Sequence, residues 1–172
     1  MNTKTLVGMA LLVGIGTVLH VIIPPLFLGM KPDMMLTMLF LGIIFFTDKK
    51  NVFLLGAVAG IISGLTSSFP GGLLPNIIDK LITAFVFYGL YLAIAPRSTS
   101  LVKIALLTGV GTLVSGAAFL GSAYYIVGLP GSFIALFGTI VLPATVINAV
   151  TMIILYPIVL SVLKRTSLAQ NL

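Results

Sequence analysis

Few side chains in this chain can do polar chemistry, so each one counts. Asp79 and Lys80 stand side by side in a stretch, residues 76–90, that carries no other charge. An ionised group at the centre of a bilayer costs at least ~2.5–3.5 kcal/mol on insertion scales, so such a group is expected to face a partner, a cavity or a bound molecule. Asn76 and Asn148 add two amides that both donate and accept hydrogen bonds. A second acid–base pair, Lys31 and Asp33, flanks Pro32 in a tight loop, and His20 precedes that loop. Together these groups suit a zwitterion. Lys80 or Lys31 could take a carboxylate, and Asp79 or Asp33 an ammonium, with Phe and Met residues around an apolar tail.

Other chemistries are poorly served. The 172 residues contain no Cys, one His and three acids, Asp33, Asp48 and Asp79, with no Glu. Disulfides, thiolate metal sites and Cys nucleophiles are therefore excluded, and no metal cluster is expected. The Gly60-Ile61-Ile62-Ser63-Gly64 stretch lacks nucleophile-elbow spacing. A phosphate loop is missing too, so no cofactor is expected and the chain cannot couple ATP hydrolysis alone. An enzyme is the least favoured class.

The elements that must position these groups are membrane spans. Hydrophobic residues make up 59% of the chain and charged ones 7%, against roughly 25% charged in a soluble domain. The expected fold is all-α, a polytopic integral membrane protein forming one transmembrane domain over residues 1–172. At ~20 apolar residues per span, six spans are expected, near 5–23, 32–47, 51–67, 76–95, 101–127 and 143–163. Pro143 is well placed as the first residue of a helix, where its missing N–H costs nothing. Residues 128–142 then form a loop, short helix or re-entrant piece. The rival is one long helix kinked at Pro143; length favours the break.

Basic residues set the orientation. With the N-terminus inside, Lys4, Lys49, Lys50, Arg97, Lys103, Lys164 and Arg165 fall on the inner side. The outer side receives only Lys31, plus Lys80 just inside span 4. Both termini are thus expected in the cytoplasm, and the net charge of +6 reports topology rather than a nucleic-acid partner. In this frame Asn76, Asp79, Lys80, Asn148, Tyr124, Tyr125, Lys31 and Asp33 all lie in the outer third. Blander readings stand beside this convergence. Lys80 can snorkel, Asn148 can join two helices, and the two Tyr can belong to an interfacial belt. Asp79 can neutralise Lys80, although helix neighbours point ~100° apart and pair poorly. His20 reads as structural or interfacial.

Spans associate through small residues that let backbones approach closely. Span 3 carries Gly56, Gly60 and Gly64, and span 5 carries Thr108, Thr112 and Gly116 beside Gly111 and Ser115. Packing within the chain is expected for both. Ala10 and Gly14 on span 1 are expected either to pack internally or to dock a partner. No internal repeat is evident, which argues against two inverted halves.

The stretch Ile22-Ile23-Pro24-Pro25 with Gly29-Met30-Lys31-Pro32-Asp33-Met34-Met35 resembles the small bacterial tryptophan-transporter family. The layout of spans, and Pro143-Ala144-Thr145-Val146-Ile147-Asn148-Ala149 opening the last, resembles the substrate-binding S-components of energy-coupling factor transporters. The resemblance implies uptake of tryptophan or a similar small amphipathic ligand across the bacterial cell membrane. It implies a site near the outer face, built by the loop between spans 1 and 2 and by spans 4, 5 and 6. It also implies docking through an Ala-xxx-Ala motif on span 1 to a coupling transmembrane subunit served by ATPases; here the motif is Ala10 and Gly14. A stand-alone, proton-coupled transporter with Asp79 as proton site is the alternative. A structural or assembly membrane protein is the alternative of another class.

Overall fold

The structure is a computed structural model that describes residues 2–23, 33–94 and 100–166. Among the described residues all regular structure is helical: α1 Thr3–Ile22, α2 Met34–Phe45, α3 Lys49–Leu65, α4 Leu73–Ile94, α5 Leu101–Ile126, the short α6 Phe133–Leu136, a π-helical turn Phe137–Val141, and α7 Leu142–Arg165. Helix starts are written into the sequence. Asp33 Oδ1 accepts the Leu36 N–H, Asp48 Oδ1 that of Lys50, and Ser100 Oγ that of Lys103. Each satisfies one of the amide groups that a helix N-terminus leaves without a partner.

Four helical stretches are long and apolar enough to cross a membrane: Thr3–Ile22, Leu73–Ile94, Leu101–Ile126 and the continuous Phe133–Arg165. The chain is a multi-pass membrane protein on this pattern. The other two expected spans are helices as well, but short. α2 has 12 residues and α3 has 17, so α2 is about 18 Å long against a hydrocarbon layer of ~30 Å. Every residue of α2 is buried. It is the hub of the bundle, packed by α1, α3, α4, α5 and α7.

The break expected at Pro143 is absent. Residues 133–165 run as one helical rod, about 50 Å by its rise, so the rival long-helix reading is the nearer one. The reason is the π turn. Leu142 donates its N–H to the Phe137 carbonyl, five residues back. Pro143, which has no N–H to give, directly follows this widened turn, and the helix passes through without unwinding.

The glycine ridge of α3 packs within the chain as expected. A side chain on Gly60 would sit 2.8 Å from the Ile77 backbone, and one on Gly64 would sit 2.8 Å from that of Leu73. On Gly56 it would meet the Lys80 carbonyl at 3.2 Å. At Gly60 and Gly64 only glycine permits this approach, which fixes the height of α4 against α3. In α5, Gly111 makes room for the rings of Phe40 and Phe87, and Gly116 for Val141.

Candidate functional site

The height of α4 puts one face of it, Asn76, Asp79, Lys80, Thr83, Ala84 and Phe87, into the bundle. Phe87 stacks on Phe40 of α2 with ring centroids 4.0 Å apart and planes 9° from parallel. One turn and more above that apolar layer, the charges meet. Lys80 Nζ donates to Asp79 Oδ2 at 2.8 Å and to Asp33 Oδ2 at 3.0 Å, and lies 3.5 Å from Ser115 Oγ. The expectation that Asp79 and Lys80 pair poorly is corrected here. The flexible four-carbon stem of lysine lets the ammonium turn back onto its neighbour despite the ~100° between them.

The remaining lone pairs are taken up methodically. Asp79 Oδ1 accepts from Thr83 Oγ1 at 3.0 Å. Asp33 Oδ1 caps α2, and His20 Nδ1 stands 3.8 Å from it. Asn148 of α7 accepts the Asp33 N–H at 2.9 Å and donates to Thr112 Oγ1 of α5 at 3.3 Å. Thr112 in turn donates to the Thr108 carbonyl. Side chains from α1, α2, α4, α5 and α7 are thereby tied through one network. Among the described residues two carboxylates face one ammonium, and a protonated His20 or an incoming cation would balance the second acid.

The two acids are not equivalent. The Asp33 side chain is 30% exposed, whereas those of Asp79 and Lys80 are 2% exposed. Above them lies a cavity of about 400 Å³, within the roughly 300–1,000 Å³ range of small-molecule sites. Its polar wall is the network just described, with Asn76, Ser63 and the turn residues Thr66, Ser67 and Ser68. Its apolar wall is Leu36, Phe119, Leu120, Leu136, Ile140 and Val141, with Phe69. Phe69 and Phe119 stand edge to face, 5.4 Å between centroids, and offer a flat aromatic ligand both a ring face and a ring edge.

The structure therefore brings Asp33, Asn76, Asp79, Lys80 and Asn148 to one cavity. Asn76 is held by donating to the Gly72 carbonyl at 2.7 Å. Lys31 lies outside the described residues. Tyr124 and Tyr125 are placed elsewhere, which corrects their assignment to the site: they are 59% and 85% exposed, stack edge to face on each other, and do not line the cavity. They point away from the cavity around α5. The sequence reading missed the lining roles of Phe69, Phe119, Ser63, Thr112 and Ser115. Thr112 and Ser115 were visible only as small packing residues. On α1, Gly8 and Gly16 are the buried glycines, while Ala10 and Gly14 face outward and a side chain on Gly14 would meet nothing within 4 Å.

An all-helical membrane bundle with a charged, aromatic-flanked cavity of this size is the architecture of a membrane protein that handles small amphipathic solutes. The chain belongs to the family described as tryptophan transporter TrpP, whose profile matches residues 2–164. It is 54% identical over 170 residues to a "Probable tryptophan transport protein" of Bacillus subtilis (strain 168), covering 99% of this chain and 98% of the relative. Proteins of the same printed name from Clostridium acetobutylicum and Clostridium perfringens are 44% and 43% identical, covering 91% and 97% of both chains respectively. No solved structure matches the chain.

Proposed function

We propose that the protein takes up tryptophan across the bacterial cell membrane and binds it in the cavity between α3, α4, α5 and α7. Membership of the family carries the reading. The placement of charge beside aromatic surface in the cavity supports it. The substrate ammonium is received by Asp33, the more accessible acid, and adds a second cation to the Asp33–Lys80–Asp79 cluster. Asn148, Asn76 and the third N–H of Lys80 serve the carboxylate, with Ser115 giving way. The indole lies against Phe69 and Phe119. Asp79 holds Lys80 in place rather than meeting the substrate.

The same reading makes the chain one transmembrane domain with six spans, both termini cytoplasmic, and the cavity toward the outer face. The excess of basic residues at the opposite end of the bundle supports that orientation. Because the chain has no Cys, single cysteines placed at residues 68 and 48 can be labelled from outside the cell. Labelling at 48 but not at 68 would reverse the orientation. Energy comes from a coupling subunit and its ATPases docked on the outward-facing Ala10 and Gly14 of α1. Two acids facing one ammonium among the described residues favour a second reading, uptake coupled to a proton by the chain alone.

The decisive measurement is tryptophan binding to the purified protein. The chain has no Trp, so ligand fluorescence is unobscured, and a blue shift on burial is expected. No saturable binding would sink the reading. Tryptophan uptake by the chain alone in proteoliposomes, driven only when a proton gradient is imposed, would replace the partner-dependent mode with the proton-coupled one.

A further inference from the structure

Six serine and threonine side chains are buried in the described residues: Thr37, Ser63, Thr83, Thr108, Thr112 and Ser115. Five have partners. Thr37, Thr108 and Thr112 donate to carbonyls four residues back, Thr83 donates to Asp79, and Ser115 faces Lys80. Ser63 is the exception. It is 4% exposed, its Oγ is buried, and it has no hydrogen-bond partner. A helical serine has an easy local remedy, a bond to the carbonyl four residues back, and Ser63 does not use it. A hydroxyl buried without a partner is destabilising, so a wall residue left in that state points to a partner that arrives with a ligand.

The position of Ser63 says which part of the ligand. Ser63 lines the cavity. Its helix neighbours Gly60 and Gly64 pack on Ile77 and Leu73 of α4, so Ser63 stands level with the first turn of α4. Lys80 lies roughly 9 Å further along that helix by its rise. A ligand whose charged head group sits at Asp33 and Lys80 therefore brings its far end to Ser63. The aromatic pair Phe69 and Phe119 borders the same region. An indole carries one polar atom at that far end, a ring N–H that can only donate and that finds an acceptor when buried.

We propose that Ser63 Oγ accepts the hydrogen bond of the indole N–H, and so makes Ser63 the residue that separates tryptophan from aromatic amino acids without that donor. This rests on the tryptophan reading above. A change of χ1 between staggered wells presents the hydroxyl to the cavity, and the serine proton then turns to the Ala59 carbonyl. A site that supplies a buried partner to a ligand N–H discriminates strongly against an analogue lacking it, because the partner is then left unsatisfied.

The test compares tryptophan with 1-methyltryptophan, in which the donor is replaced by a methyl group, on wild-type protein and on Ser63→Ala. Wild type should favour tryptophan by tenfold or more. Ser63→Ala should lose about tenfold in tryptophan affinity, the fold-change of one hydrogen bond, and bind 1-methyltryptophan no worse than wild type. The preference thus collapses. Melting of the ligand-free variant should be unchanged or raised, since an unpaired hydroxyl is removed; a lowered melting temperature would mark Ser63 as structural and overturn the proposal. Ser63→Thr, which keeps a hydroxyl, should retain the preference. If Ser63→Ala binds tryptophan as wild type does, with its preference intact, the Ser63 assignment is wrong while the tryptophan site stands. If wild type binds no tryptophan at all, both readings fall together.

Discussion

Replacing Lys80 by methionine should destabilise the protein more than any other single change in the cluster. The methionine fills most of the volume, so the loss is electrostatic. Lys80 Nζ bridges Asp79 at 2.8 Å and Asp33 at 3.0 Å, and the Lys80 and Asp79 side chains are 2% exposed. Removing this ammonium leaves the two acids, among the described residues, with no ammonium between them. Breaking a buried pair from one side costs about 3–5 kcal/mol. For a chain of 150–250 residues each kcal/mol moves the melting temperature by roughly 2–4 °C, so Lys80→Met should melt about 6–20 °C lower. Asp79→Asn is milder. It leaves Lys80 matched one to one with Asp33 and loses a charged hydrogen bond of about 1.5–3 kcal/mol. The double variant Lys80→Met, Asp79→Asn retains a single acid, Asp33, which can reach water. It should therefore recover most of what Lys80→Met loses, a coupling that a double-mutant cycle isolates. The assay is thermal unfolding of purified, ligand-free protein in one detergent at one scan rate, because such unfolding is rate-dependent when irreversible. A drop under about 3 °C for Lys80→Met, or a double variant no better than the single one, would show that Lys80 does not hold the cluster together.

Asp33→Asn should lower tryptophan affinity at least tenfold, since a charged contact to the ammonium is lost, while Tyr125→Ala leaves it unchanged; titration of ligand fluorescence reads both, and the opposite ranking would return the site to the end of α5. Gly60→Ala places a methyl 2.8 Å from the Ile77 backbone and should cost about 1–3 kcal/mol by overpacking, whereas Gly14→Ala meets nothing and should melt at or slightly above the wild-type temperature. Ala10→Leu, on the exposed face of α1, should abolish partner-dependent uptake in cells yet keep tryptophan binding; unimpaired uptake would remove that face from docking.

Depth was the legible coordinate in this sequence, and direction around each helix was not. Hydropathy gives these polar residues approximate heights along their helices, and Asp33, Asn76, Asp79, Lys80 and Asn148 do line one cavity, although the helix start at Pro143 from which Asn148 was placed is absent. The same reasoning swept in Tyr124 and Tyr125, because a depth argument cannot tell an inward from an outward face on a helix apolar all round. The α3 glycines were legible because backbone contact needs glycine in repeated register. The π turn was not, since a one-residue widening leaves no compositional mark, and length alone argued for a break at Pro143. Ser63 was weighed only as a nucleophile candidate. Its significance depends on partners it does not have, which only coordinates reveal.

The shortness of α2 has an electrical consequence. Asp33 caps one end of this helix, and the exposed Thr47 and Asp48 follow the other. Its length is about 18 Å in a hydrocarbon layer of ~30 Å. In the proposed orientation, water filling the cavity down to Asp33 would concentrate the membrane voltage along α2 and its neighbours. An elementary charge carried across the whole field changes energy by about 2.3 kcal/mol per 100 mV, and most of that drop then lies between Asp33 and the far surface. Zwitterionic tryptophan would cross it almost unaffected, while a proton or metal cation travelling with it would not. A dependence of uptake on imposed voltage would therefore report that net charge moves with the substrate past α2.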